Sequence, residues 1–157
     1  MVLLTACEPV QEDVSLAAAP SFRNPAVNIG VTTRFDPVRF SGDWHVVARF
    51  VETGAAAAPE TIAVSFDRAR SQIVLLGNEG ARRFGYEGRA VFEPKSGEPL
   101  VVMWVDEGFR TAALGTPSGR VGYILDRSKS PSADRFKAAR EILTFYGWDV
   151  SHLQRTR

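Results

Sequence analysis

From Trp44 onward the chain breaks into short runs of alternating apolar and polar residues divided by turn chemistry, and this succession constrains the fold more than any other feature. Trp44 to Val51 puts Trp44, Val46, Ala48 and Phe50 on one face and His45, Val47 and Arg49 on the other, because successive side chains of a strand point to opposite sides. Thr61 to Phe66 repeats the pattern, with Ile62, Val64 and Phe66 together. Ile73 to Gly77, Phe84 to Phe92, Leu100 to Val105, Thr111 to Gly115 and Val121 to Leu125 continue it, with Asn78-Glu79-Gly80 and Pro117-Ser118-Gly119 as turns. Consecutive strands on tight turns make an all-β, up-and-down antiparallel meander, and closing it into a β-barrel removes its exposed edges.

A single helix is expected after the last of these strands. Ser130 is placed to cap it, Pro131 suits its first position, and Phe136, Ala139, Leu143 and Tyr146 recur at near-helical spacing until Gly147. Its apolar stripe needs a partner. The run Leu100 to Val105 is apolar on both faces, as befits a strand with the barrel lumen on one side and a packed helix on the other. Ala112 and Ala113 let that helix approach closely, and Val150 to Leu153 reads as a short returning strand outside the barrel.

Two segments at opposite ends of the meander then meet. Phe40-Ser41-Gly42-Asp43-Trp44-His45 puts an indole at the start of the first strand, and Tyr123-Ile124-Leu125-Asp126-Arg127 puts a guanidinium at the end of the last. In a closed barrel Arg127 can stack on Trp44, a contact worth roughly 0.5–2 kcal/mol depending on desolvation.

With 157 residues the chain can build one ordinary core but not two comfortable domains. Nineteen Lys and Arg against 18 Asp and Glu leave a formal charge of +1, which offers no field to concentrate nucleic acid. No stretch approaches the ~20 apolar residues of a membrane-spanning helix. Cys7 is the only cysteine, so an intrachain disulfide is excluded.

Leu4-Thr5-Ala6-Cys7 resembles the lipobox of bacterial lipoprotein precursors, in which the Cys is acylated and becomes the mature N-terminus. Met1-Val2-Leu3 cannot supply the charged and apolar regions of a secretory signal, so residues 1–7 read as a signal remnant whose start lies upstream. More than one fatty chain at about 0.8 kcal/mol per buried methylene anchors a protein stably. Glu8 after that Cys implies the outer membrane, with the chain lipid-anchored on the periplasmic side. Residues 8–33 read as a linker and lead-in, in which Val27, Ile29 and Val31 alternate as a strand or arm crossing the barrel's base. Residues 34–157 form the barrel domain with its helix.

Taken together, the chain from Val27 to Leu153 resembles the lipocalin family, and most closely the bacterial outer-membrane lipoprotein lipocalins. Phe40-Ser41-Gly42-Asp43-Trp44 is similar to the family's first motif, with Phe35-Asp36-Pro37 as the segment leading into the barrel. Asp106-Glu107-Gly108-Phe109 stands where the second is expected, with Phe109 in place of a Tyr, and Arg127 closes the third. Gly147 to Ser151 is similar to the subgroup's post-helix segment. The resemblance implies eight barrel strands, whereas seven are legible, because only Glu93 to Pro99 separate the fourth from Leu100. Either the segment Arg82 to Pro94 is split and re-paired locally, or the barrel is open or narrowed there.

An eight-stranded barrel has room for one small ligand. Strand parity then lines the interior with Val46, Ala48, Phe50, Val64, Val121, Tyr123 and Leu125, while Gly42, Trp44 and Arg127 hold the ends. The Tyr123 phenol can hydrogen-bond a carboxylate or ester oxygen while its ring covers an acyl chain. The expected function is binding or transport of a small hydrophobic ligand, of the fatty-acid or lysophospholipid class, in the bacterial envelope, with no cofactor. Two alternatives stand beside it: a haem or other tetrapyrrole carrier, which needs His45 inward, and a filled barrel acting as a protein-interaction module. No catalytic set is legible. His45 faces outward by parity, His152 lies near the C-terminus, and Asp106 and Glu107 occupy a turn where polar residues are expected.

Overall fold

The computed structural model describes residues 19–157, so the expected acylation at Cys7 and the start of the linker lie outside the described residues. Eight strands follow one another: β1 (Gly42–Phe50), β2 (Glu60–Asp67), β3 (Gln72–Gly77), β4 (Gly80–Tyr86), β5 (Val91–Glu93), β6 (Leu100–Val105), β7 (Thr111–Gly115) and β8 (Gly122–Asp126). Each pairs antiparallel with the next, and β1 pairs with both β2 and β8, which closes the ring. A one-turn helix, α1 (Pro37–Phe40), precedes the barrel, with Asp36 capping it through Val38 and Arg39. After the barrel come α2 (Ala133–Phe145), a 3-10 turn over Val150–His152, and β9 (Leu153–Arg155), which pairs with the upper half of β1.

The eighth strand comes from splitting a stretch that reads as one. Gly88, at φ +81°, turns the chain so that Tyr86 faces Phe92 across a short ladder, and β5 pairs onward with β6. Of the two alternatives, the local split holds.

Two β-bulges decide which side chains enter the lumen. β1 slips register between Val46 and Ala48, and β6 between Val102 and Trp104. An extra residue in a strand reverses the parity of everything beyond it. Trp44 and Val46 therefore point inward, but Ala48 and Phe50 belong to the outer apolar layer, and Arg49 turns into the lumen opposite Tyr123. The expectation that Ala48 and Phe50 line the interior is corrected by this bulge.

Two apolar layers result. The inner one fills the barrel with Phe40, Trp44, Ile73, Phe84, Phe92, Leu114 and Leu125 among others. The outer one joins Val47, Ala48, Phe50, Val101, Met103, Ala113 and Ile124 to Ala139 and Leu143 of α2, and β6 serves both layers, as its two-faced apolarity predicts. Gly115 and Gly122 lack side chains where the Trp148 ring lies on the sheet, since a Cβ at either would collide with the indole. The α2 cap is Ser132, whose hydroxyl accepts from the Arg135 N–H, not Ser130. The returning strand begins at Leu153, after the 3-10 turn.

From Ser21 the described part of the 8–33 segment lies on the barrel. Phe22 stacks on Phe50 at 5.8 Å, Arg23 donates to the carbonyls of Tyr146, Pro117 and Val27, and the Thr32 N–H donates to Val102 O at 3.0 Å. Val27, Ile29 and Val31 form an arm there, without strand pairing.

Candidate functional site

The two ends of the barrel have opposite characters. At the end where β1 starts, Arg127 lies with its guanidinium carbon 3.8 Å from the Trp44 ring centroid. Its nitrogens donate to the carbonyls of Asp43 at 2.9 Å, Arg39 at 2.9 Å, Ser41 at 3.0 Å and Phe109 at 3.2 Å. The Trp44 Nε1–H donates to Phe40 O at 2.8 Å, and Gly42, at φ +104°, passes so close that a Cβ would stand 3.1 Å from Arg127 Nη1. Below this staple the lumen is plugged by its own rings: Phe40 packs 4.8 Å from Trp44 and 6.1 Å from Phe92, and Phe35 covers both Phe40 and Phe92. That end carries structure, and a hollow of about 340 Å³ lies beside it between Val31, Thr33, Phe35 and Ala90.

The opposite end, where β1, β3, β5 and β7 finish, is open. A cup of about 190 Å³ remains there, with Ile62 and Leu75 as its apolar floor and Arg49, Glu60, Arg82 and Tyr123 around it. Pairing explains the set: Glu60 stands opposite inward Val46, Arg82 opposite inward Leu75, and Arg49 opposite Tyr123. Arg49 Nη2 donates to Glu60 Oε2 at 2.6 Å, and its guanidinium carbon lies 5.3 Å from the Tyr123 ring centroid. Glu60 Oε1 accepts from the Asn78 N–H at 3.0 Å. Burial pushes the Tyr123 phenol above its ordinary value, against the opposing pull of Arg82 and Arg49, so the hydroxyl keeps its proton at neutral pH.

No family model and no curated protein sequence matches the chain. Solved structures do. Apocrustacyanin A1 of the lobster is 15% identical with a TM-score of 0.56, covering 76% of this chain and 77% of that one. The cockroach allergen Per a 4 is 13% identical with a TM-score of 0.61, over 83% of this chain and 93% of its own. The siderocalin Ex-FABP is 14% identical with a TM-score of 0.56, over 75% and 93%. The fold is lipocalin-like. At these identities the likeness speaks for the fold alone, and the site must be argued from this chain's own residues.

Within the lipocalin-like barrel, Val46, Val64 and Leu125 are fully buried in the inner layer, and Tyr123 lies at its upper edge in the cup wall. Val121 sits in the turn before β8, half-buried and outside both apolar layers. Ala48 and Phe50 face the other way. Of the residues expected to line a ligand, only Tyr123 therefore borders open space in the cup. Arg49, Glu60 and Arg82 were not legible as lumen residues. Arg49 is hidden by the bulge, and Glu60 and Arg82 lie just before the apolar runs that mark their strands.

Neither histidine faces the lumen. His45 Nδ1 is 3.1 Å from Thr61 Oγ1 on the outer surface, and the His152 ring packs 5.3 Å from Phe22. Asp106 is committed to its turn, accepting from the N–H groups of Gly108, Arg110 and Thr111 and from the Arg110 guanidinium. Burial works to raise its pKa, and those donors overcome it and hold the carboxyl below its usual range. Among the described residues no group of three or more His, Cys, Asp or Glu is placed to share a metal ion. A wider groove of about 640 Å³ runs outside the barrel past His45, Thr61, Lys129 and Thr156, open to solvent, with Val46, Val47 and Pro59 among its walls.

Proposed function

We propose that this chain binds a small hydrophobic ligand through the open mouth of its barrel, and that the ligand belongs to the fatty-acid or lysophospholipid class. The observation that carries this is the cup itself, in which a protonated phenol and two guanidiniums stand over an apolar floor. An amphiphile needs this combination: donors for an oxygen-bearing head and apolar surface for the adjoining methylenes. At about 190 Å³ the cup is smaller than the roughly 300–1,000 Å³ of sites that engulf a drug-sized ligand. It receives the head and the first methylenes, while the rest of the chain lies along the rim. The solved relative described as a siderocalin acting through dual ligand specificities supports ligand binding as a use of this architecture.

The protein acts in this reading as a binder and not an enzyme, held at the periplasmic face of the bacterial outer membrane by an acylated Cys7. A second reading has one observation in its favour: Phe40, Trp44 and Phe92 are wholly buried and plug the lower lumen, as they would in a barrel used only as an interaction module. A tetrapyrrole carrier has none, since His45 faces outward. Native mass spectrometry of the purified protein, combined with displacement of a fluorescent fatty acid, separates the first two. Co-purifying lipid or saturable displacement is expected, and the lack of both would leave the interaction module standing.

A further inference from the structure

We propose that Glu60 stands in for the ligand's acidic group: the Arg49–Glu60 pair closes the cup, and an incoming carboxylate or phosphate takes the place of Glu60 on Arg49. This rests on the mouth-binding reading above and narrows it, because such a site selects acidic amphiphiles over neutral ones of the same length.

The pair is built to open. Its side chains retain 24% and 14% of their exposure, so solvent reaches both partners and screens the attraction between them. Glu60 is not stranded when it lets go, because its other oxygen accepts from the Asn78 N–H. Gly77 provides the space beside it, since a Cβ there would collide with the Glu60 carboxylate.

The pair is also incomplete. Glu60 engages Arg49 through Nη2 alone, and Arg49 Nε is buried without a hydrogen-bond partner. A buried unpaired donor is rare enough to need a cause. Guanidinium binds an acid group best as a fork, through two parallel N–H bonds, and a ligand oxygen at Nε would complete the fork that Glu60 leaves half-made. Tyr123, protonated and on the next strand, supplies a further donor from the side.

Charge points the same way. Arg49 and Arg82 balance Glu60 and Glu79 around the cup, so moving Glu60 aside leaves one guanidinium uncompensated. A neutral head group cannot restore that balance, whereas a singly charged acid can.

Calorimetric titration of the wild type with decanoate, decyl phosphate and decanol tests this. The two acids are expected to bind about tenfold more tightly than the alcohol, the worth of one well-made charged hydrogen bond. Glu60→Gln should raise affinity for the acids several-fold and leave decanol unchanged, and Arg49→Gln should abolish the preference for acids. Whichever acid gains more from Glu60→Gln distinguishes a carboxylate from a phosphate head. In the wild type, which needs no substitution to fold, the Arg49 Nε–H resonance should shift with acid and not with alcohol. Equal binding of acid and alcohol with an unmoved Arg49 signal would overturn the stand-in role while leaving mouth binding intact. No saturable binding of any probe would overturn both.

Discussion

Arg127 lies 3.8 Å above the Trp44 ring and spends its donors on four backbone carbonyls, so one side chain ties α1, the start of β1 and the β6–β7 turn to the end of β8. Charged hydrogen bonds of this kind contribute more than neutral ones, and stacking on an indole adds to them. Arg127→Ala is therefore expected to lower stability by about 2–3 kcal/mol in denaturant melts, allowing for the partial exposure of the site. Arg127→Lys should recover less than half of this, because an ammonium can neither stack as a plane nor fork. A melt unchanged by the alanine substitution would remove the staple.

The bulge in β1 makes a sharper distinction. Phe50 packs 4.6 Å from Trp148 and 5.8 Å from Phe22 in the outer layer, with no part in the cup. Phe50→Ala should cost about 3–4 kcal/mol of stability through the lost ring and its cavity. Ligand affinity, measured well below the melting temperature, should stay within twofold. Tyr123→Phe should do the reverse, leaving stability nearly intact while weakening acidic ligands. If Phe50→Ala abolished binding in a folded protein, the proposed mouth site would be wrong.

These two residues also show how far the sequence can be read. Seven strands are legible because Val, Ile, Phe and Trp alternate between turns rich in Gly, Pro, Asn and Ser. The Trp44–Arg127 contact is legible too, since both residues sit at strand ends that a closed barrel must bring together. β5 is not, because three residues behind a Glu87-Gly88-Arg89 turn carry too little pattern to stand apart from the run before them. The bulge is invisible for a simpler reason. Val47 and Ala48 are both apolar, so nothing in the residue types shows that both turn outward, and alternation then places Arg49 among the solvated side chains. The cup is not legible in consequence: four of its six polar residues carry charge, and alternation assigns charge to the outside.

Asp106 gives the fold a dependence on acid. Its carboxyl, held below its usual range by the N–H groups of Thr111 and Arg110 despite burial, is charged in the folded turn at pH values where an unfolded chain would begin to protonate it. Its contribution is complete above the unfolded value of about 4 and is lost as pH falls through the lower folded value. The melting temperature should therefore drop below about pH 4, and Asp106→Asn should be less stable than the wild type at pH 7 and show a shallower fall in acid. Parallel profiles for the two proteins would contradict this role.

The anchor is tested apart from the barrel. Expressed behind a complete bacterial lipoprotein signal, the wild type should fractionate with the outer membrane, and Cys7→Ser should release folded protein into the periplasm. Continued membrane association of Cys7→Ser would contradict acylation at that residue.

The most direct measurement is a two-dimensional NMR titration of the wild type with a medium-chain fatty acid. Ligand at the mouth predicts saturable shifts centred on Arg49, Glu60, Arg82 and Tyr123, with the buried plug of Phe40, Trp44 and Phe92 undisturbed. Shifts centred instead on the outer groove at His45 and Lys129, or no saturable shifts at all, would contradict it.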